Sequence, residues 1–170
     1  MAVDLTLKSV QLTNAAASPP VLNSPQNGGE GIVREVFGHI ASVTASLSIT
    51  SVIRFVRVPS NARISSVRIQ SGAQTAGKVD VGIYQTAANG GAVVDADLFG
   101  SAVDLASAVK STEIVDESGE LTIAEMGKPL WEVLGLSADP CRDYEVAATV
   151  VTTDVTTGTG AVGLTVKYVR

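Results

Sequence analysis

The sequence predicts an all-β fold, an antiparallel β-sandwich with a jelly roll as one form of it, carrying short helical insertions and an extended N-terminal arm. Three observations lead there. Val, Thr, Ser and 16 Gly dominate a chain in which aromatic residues are only 4%, a composition of strands and turns rather than helices. Several segments alternate strictly between apolar and polar residues, the mark of a strand buried on one face. Turn clusters such as Pro59-Ser60-Asn61 and Asn89-Gly90-Gly91 punctuate these segments at short intervals.

At 170 residues the chain has the length of one domain, or one domain and an arm. Apolar residues are 45% and charged residues 17%, with mean hydropathy +0.30. Such a composition excludes a disordered chain and supplies one packed core. The division read here is an arm over 1–30 and a sandwich over 31–170. In the arm, Val3, Leu5 and Leu7 alternate with Asp4, Thr6 and Lys8. Pro19, Pro20, Pro25, Asn27, Gly28 and Gly29 follow and prevent regular structure.

Within the body, residues 31–50 mix Ile32, Val36, Ile40, Val43, Leu47 and Ile49 with Ser, Thr and Ala. A helical spacing of Ile32, Val36, His39, Ile40 and Val43 competes, but β-branched content and Gly38 favour strands. Ser51 to Val58 reads as a strand with Ile53 and Phe55 on one face and Val52, Arg54, Val56 and Val58 on the other. Ala62 to Gln70 follows, with Val67 and Ile69 inward and Arg68 outward. Lys78 to Gln85 sets Val79, Val81 and Ile83 against Asp80, Gly82 and Tyr84. From Val93 to Val109 the pattern is ambiguous, and Asp97 could cap a helical turn carrying Leu98, Phe99 and Ala102. Thr122 and Glu125 have capping-box spacing. Pro129 to Gly135 reads as a short helix in which Trp131, the sole tryptophan, plugs one end of the core. Tyr144 to Thr153, a Thr/Gly turn over 156–160, and the alternation Val162, Leu164, Val166, Tyr168 read as a C-terminal hairpin.

Charge and motif content narrow the function. Twelve Lys plus Arg against 17 Asp plus Glu leave −5, without the basic surface a nucleic-acid partner requires. The stretch holding Arg54, Arg57, Arg63 and Arg68 reads as a solvated strand face. Neither a signal-peptide pattern nor a run of some 18 apolar residues is present, so no membrane partner is expected and synthesis in the cytoplasm is. A lone Cys141 and a lone His39 cannot build a usual zinc site. Asp95, Asp97, Asp116 and Glu117 lack EF-hand spacing, and Asp95 and Asp97 read as turn and cap residues. Gly28-Gly-Glu-Gly31 lacks the phosphate-loop lysine and the dinucleotide fingerprint, and no nucleophile elbow occurs. Hence no catalytic residue, cofactor or metal is expected. A hydrolase built on His39 with a serine and an aspartate is the reading from another class. The thinness of catalytic equipment points instead to an interaction or structural role.

Several segments carry a resemblance: Arg54-Phe-Val-Arg-Val-Pro59, Ala62-Arg-Ile-Ser-Ser-Val67, Asp80-Val-Gly-Ile-Tyr84, Gly90-Gly-Ala-Val-Val-Asp-Ala-Asp-Leu-Phe99, Lys128-Pro-Leu-Trp-Glu-Val-Leu-Gly-Leu136, Asp139-Pro140 and Tyr144-Glu-Val-Ala-Ala-Thr149. Together, over roughly residues 50–170, they resemble tailed-bacteriophage capsid decoration, or cement, proteins. The resemblance implies a virion protein, assembled in the host cytoplasm, that binds the major capsid protein on the outside of the head and stabilises it. It also implies a homo-oligomer, a trimer on three-fold or quasi-three-fold positions. These are packing and turn motifs and carry over no individual functional residue. The natural adhesive is the arm, whose Val3, Leu5, Leu7, Val10 and Leu12 are the expected capsid contacts. A head- or tail-fibre domain binding a host receptor or surface glycan has the same composition and is the alternative.

Overall fold

The computed structural model describes residues 13, 17–19, 31–41, 47–74, 76–152, 154–155 and 160–170. The chain divides into two compact units, Met1–Gly31 and Ile32–Arg170; the fold described here is that of the second. Val3, Leu5, Leu7, Val10 and Leu12 lie outside the described residues, as does most of the turn over 156–160.

Eight strands occur among the described residues: β1 Val33–Ile40, β2 Val52–Pro59, β3 Arg63–Ser71, β4 Lys78–Gln85, β5 Val93–Asp104, β6 Val109–Glu113, β7 Asp143–Val151 and β8 Val162–Val169. They form two four-stranded sheets, ordered β1-β8-β3-β6 and β2-β7-β4-β5, and every pairing is antiparallel. Each strand of the first half pairs with its mirror counterpart in the second: β1 with β8, β2 with β7, β3 with β6, β4 with β5. A long antiparallel ribbon rolled so that β8 meets β3 and β7 meets β4 is the jelly roll. The all-β sandwich expected from the sequence is the fold observed.

The core lies between the sheets. Val67, Ile69, Leu164 and Val166 from one face Val58, Val79, Val81, Ile83 and Val146 from the other, with Phe99 and Tyr144 also fully buried. The period-2 reading holds in β3 and β8, where Arg68 and Lys167 point out. In β4 the inward set is as expected, but Tyr84 and Gly82 are buried as well. Tyr84 is capped by the guanidinium of Arg54, 5.4 Å from the ring centroid, and its hydroxyl bonds that of Thr149. Gly82 is covered by β5: a Cβ there would stand 2.1 Å from the Asp95 carbonyl oxygen.

Four local expectations are corrected. In β2 a bulge between Arg54 and Val56 adds a residue and shifts the alternation, so Ile53 and Val58 are buried and Phe55 is only half-buried. Residues 93–104 form β5, not a turn capped by Asp97. Thr122 and Glu125 do bond, the Thr122 N–H and hydroxyl donating to Glu125 Oε2 at 3.1 and 2.7 Å, but they close a turn without a helix. Finally, β7 and β8 are not a hairpin; they belong to opposite sheets, and β4–β5 is the one pair of consecutive strands that bond.

The short helix exists as α1, Leu130–Val133, with Pro129 at its N-cap and Gly135 at φ 71° just beyond. Its first turn is anchored by the Leu130 N–H donating to Ala62 and that of Trp131 to Ser60. Leu130, 2% exposed, enters the core. Trp131 is half-buried and outside the core cluster, because the residue that fits the end of the sandwich is its smaller neighbour.

Candidate functional site

The basic stretch is not a freely solvated face. Arg54 donates to Glu145 at 2.6 Å, to the Gln85 carbonyl at 2.8 Å and to the Gly91 carbonyl at 2.6 Å. Arg57 donates to the other Glu145 oxygen at 3.0 Å. Burial opposes ionisation of Glu145, but the hydrogen bonds and charges of Arg54 and Arg57 outweigh it and hold the carboxyl below its ordinary value. Arg68 pairs with Glu113 at 3.1 Å, and the Arg63 Nε is buried. Arg54, Arg57 and Arg68 staple strands together, whereas the buried Arg63 Nε has no hydrogen-bond partner among the described residues.

Acidic residues converge at one place. Asp95, Asp97 and Glu120 offer carboxylate oxygens within 4.8 Å of one another. The charges of Asp95 and then Asp97 hold the exposed Glu120 carboxyl above its ordinary value. Asp95 Oδ1 accepts from the Asp97 N–H at 3.3 Å, the local turn bond expected of an Asp. From the Asp116–Glu117 pair, Glu117 accepts from the Ser101 N–H at 2.8 Å, a structural bond. Cys141 is exposed in a turn closed by its N–H donating to Asp139 Oδ1 at 2.8 Å.

His39 lines an open concavity. An open groove of about 490 Å³ runs over the outer face of the β1-β8-β3-β6 sheet, lined by Phe37, His39, Gln70, Val109, Lys110 and Ser111 over a floor that includes Gly163. In β1, Val36, Gly38 and Ile40 turn inward, which sends Phe37 and His39 out. Their rings stack with centroids 5.4 Å apart and planes within 14°. The Phe37 ring leans across onto β8, where a Cβ at Gly163 would meet it at 3.0 Å. The opposite rim is β6, where an irregularity in pairing with β3 holds Ser111 at φ 46°, a backbone state non-glycine residues seldom adopt.

Ser71 and Ser111 line the groove with His39, and among the described residues no lining residue is acidic and no carboxylate bonds the imidazole as in a triad. The Ser71 Oγ is itself buried. Phe37 is 57% exposed. The signal that marks it outward is the Val36, Gly38, Ile40 set, which fixes the other phase. Gln70, Lys110 and Gly163 carry no such mark, because they reach the groove only through long-range pairing.

No family model matches the chain, and a search of curated proteins finds no significant relative. Among solved structures, a chain of the cyanophage Pam1 capsid asymmetric unit matches at TM-score 0.53 and 16% identity, covering 90% of this chain and 95% of that one. At that identity the likeness is one of fold.

Proposed function

We propose that this chain is a non-enzymatic virion structural protein that binds the outer surface of a phage capsid and stabilises the head. The observation that carries the reading is the eight-strand rolled ribbon, an architecture recurrent in viral capsid domains, taken with a likeness to the Pam1 capsid chain over nearly the full length of both. The partner is the major capsid protein. The contacts are assigned to the arm over 1–30, with Val3, Leu5, Leu7, Val10 and Leu12 as its apolar teeth, since an alternating segment can add a strand to an exposed sheet edge. A trimer at three-fold positions would multiply weak single contacts by avidity. The fibre-domain alternative draws support from the groove beside Phe37.

The test is the copy number of the chain in purified particles, by quantitative mass spectrometry with imaging of the three-fold positions. Hundreds of copies are expected. A handful would replace the cement role with a fibre or vertex role, and none would overturn the virion assignment. Removal of residues 1–30 is expected to leave a folded body that no longer coats heads; continued coating would take the anchor away from the arm.

A further inference from the structure

We propose that the groove over the β1-β8-β3-β6 sheet binds a carboxylate-bearing sugar unit of the uronic-acid type. This inference goes beyond the capsid role and stands independently of it.

The size is right for a ligand, since small-molecule sites span about 300–1,000 Å³. Its chemistry is specific. Phe37 is a large exposed aromatic, held in place rather than free: His39 stacks on one side and the ring edge rests over Gly163. A rigid apolar plate beside a polar rim matches the two-sided character of a pyranose, which has C–H groups on its ring faces and hydroxyls around its edge. Such amphipathic recognition is what exposed aromatics do well. Gly163 matters because any larger residue there would meet the ring and fill the floor.

The rim supplies the polar part. Gln70 offers both donor and acceptor, and none of the hydrogen bonds found among the described residues engages its side chain. Ser111 is set outward by the irregular β6 and keeps a left-handed backbone conformation; strained residues of this kind gather at binding sites. The charge pattern selects the acid. The chain carries −5 overall, yet the groove lining has no Asp or Glu and does have Lys110. At the other end of the same face the cations are committed, Lys167 to Glu35 at 3.1 Å and Arg68 to Glu113. Lys110 has no ion-pair partner among the described residues, so its ammonium is available to a ligand carboxylate.

Saturation-transfer NMR and calorimetric titration of the full chain with galacturonate and glucuronate oligomers, against neutral glucose oligomers as control, test the assignment. The acidic oligomers are expected to bind more tightly than the neutral ones, and to bind less tightly as salt rises. Phe37→Ala is expected to weaken binding of the acidic oligomers tenfold or more, equivalent to about 1.4 kcal/mol. Lys110→Ala is expected to erase the preference for acid over neutral sugar. Gly163→Val, checked for an unchanged dichroism spectrum, is expected to block binding by filling the floor. No binding of either class, or binding undiminished in both Phe37→Ala and Lys110→Ala, would overturn the proposal. Loss of capsid coating in Phe37→Ala without sugar binding by the parent would also overturn it, and assign the groove to a protein surface.

Discussion

Neighbouring residues Leu130 and Trp131 make a sharp test of where the sandwich is sealed. Leu130 is 2% exposed and belongs to the core cluster, whereas Trp131 is half-buried beside it. Truncating Leu130 to Ala removes about three carbon groups from a dry site. At about 0.8 kcal/mol per buried methylene that is about 2.4 kcal/mol, and the residual cavity brings the total to roughly 3–4 kcal/mol. Trp131→Ala removes a larger side chain that is partly exposed and lies outside the core cluster, so its loss opens toward solvent and leaves no closed cavity. Only its own lost burial counts, about 2–3 kcal/mol, without the added cost of a closed cavity. The main-chain bonds to Ala62 and Ser60 survive both changes, so the side chains alone are compared. Thermal unfolding followed by circular dichroism is the assay, because Trp131 is the sole tryptophan and its loss removes the fluorescence signal. At roughly 2–4 °C per kcal/mol for a chain of this size, Leu130→Ala should melt a few degrees below Trp131→Ala. The opposite order would return Trp131 to the core and refute the placement of α1.

Other perturbations follow from the same structure. Gly38→Ala places a Cβ 2.3 Å from the Phe55 carbonyl oxygen, forcing β1 away from the β2 bulge; a loss of about 1–3 kcal/mol by overpacking is expected, and an unchanged melting midpoint would mean the sheets give way there freely. Glu145→Gln should destabilise at neutral pH. Because the folded pKa lies below the ordinary value of 4.5, the carboxylate's contribution is complete above that value and fades as pH falls through the folded pKa; parent and variant melting curves should converge in acid. Glu120→Gln should act with the opposite sign. Its folded pKa is raised, so the charged form is disfavoured once pH exceeds that pKa. The variant should melt higher than the parent at pH 7, and the gap should close below pH 4.5 and shrink with added salt.

What the sequence revealed was whatever depends on one strand at a time. In β3 and β8 the faces of Val67, Ile69, Leu164 and Val166 follow directly from alternation, since each side chain simply takes the next side of the pleat. The Arg54–Val56 bulge escaped because an extra residue is defined only by the partner opposite, here Ala147 and Val146. Tyr144–Thr153 and Val162–Tyr168 read as a hairpin because two alternating runs joined by a Thr/Gly turn usually are one. Their assignment to opposite sheets is a property of the roll. The same holds for the groove: Phe37, Lys110 and Gly163 come from β1, β6 and β8, and no local spacing connects them. Of the groove residues only His39 was named from the sequence, in the alternative hydrolase reading, and no acidic residue lines the groove among the described residues.

The rolled ribbon has a consequence for the protein's birth on the ribosome. In one sheet, β8 stands between β1 and β3, so neither early strand has its main partner until β8 is made. Roughly 90 residues separate Ser71 from Val162, which is about 5–20 s of synthesis. Through that interval β1 and β3 present open, apolar edges, the kind that recruit other chains. The β4–β5 ribbon can close early and nucleate, and pairing then zips outward over ever longer loops, a slow route by topology alone.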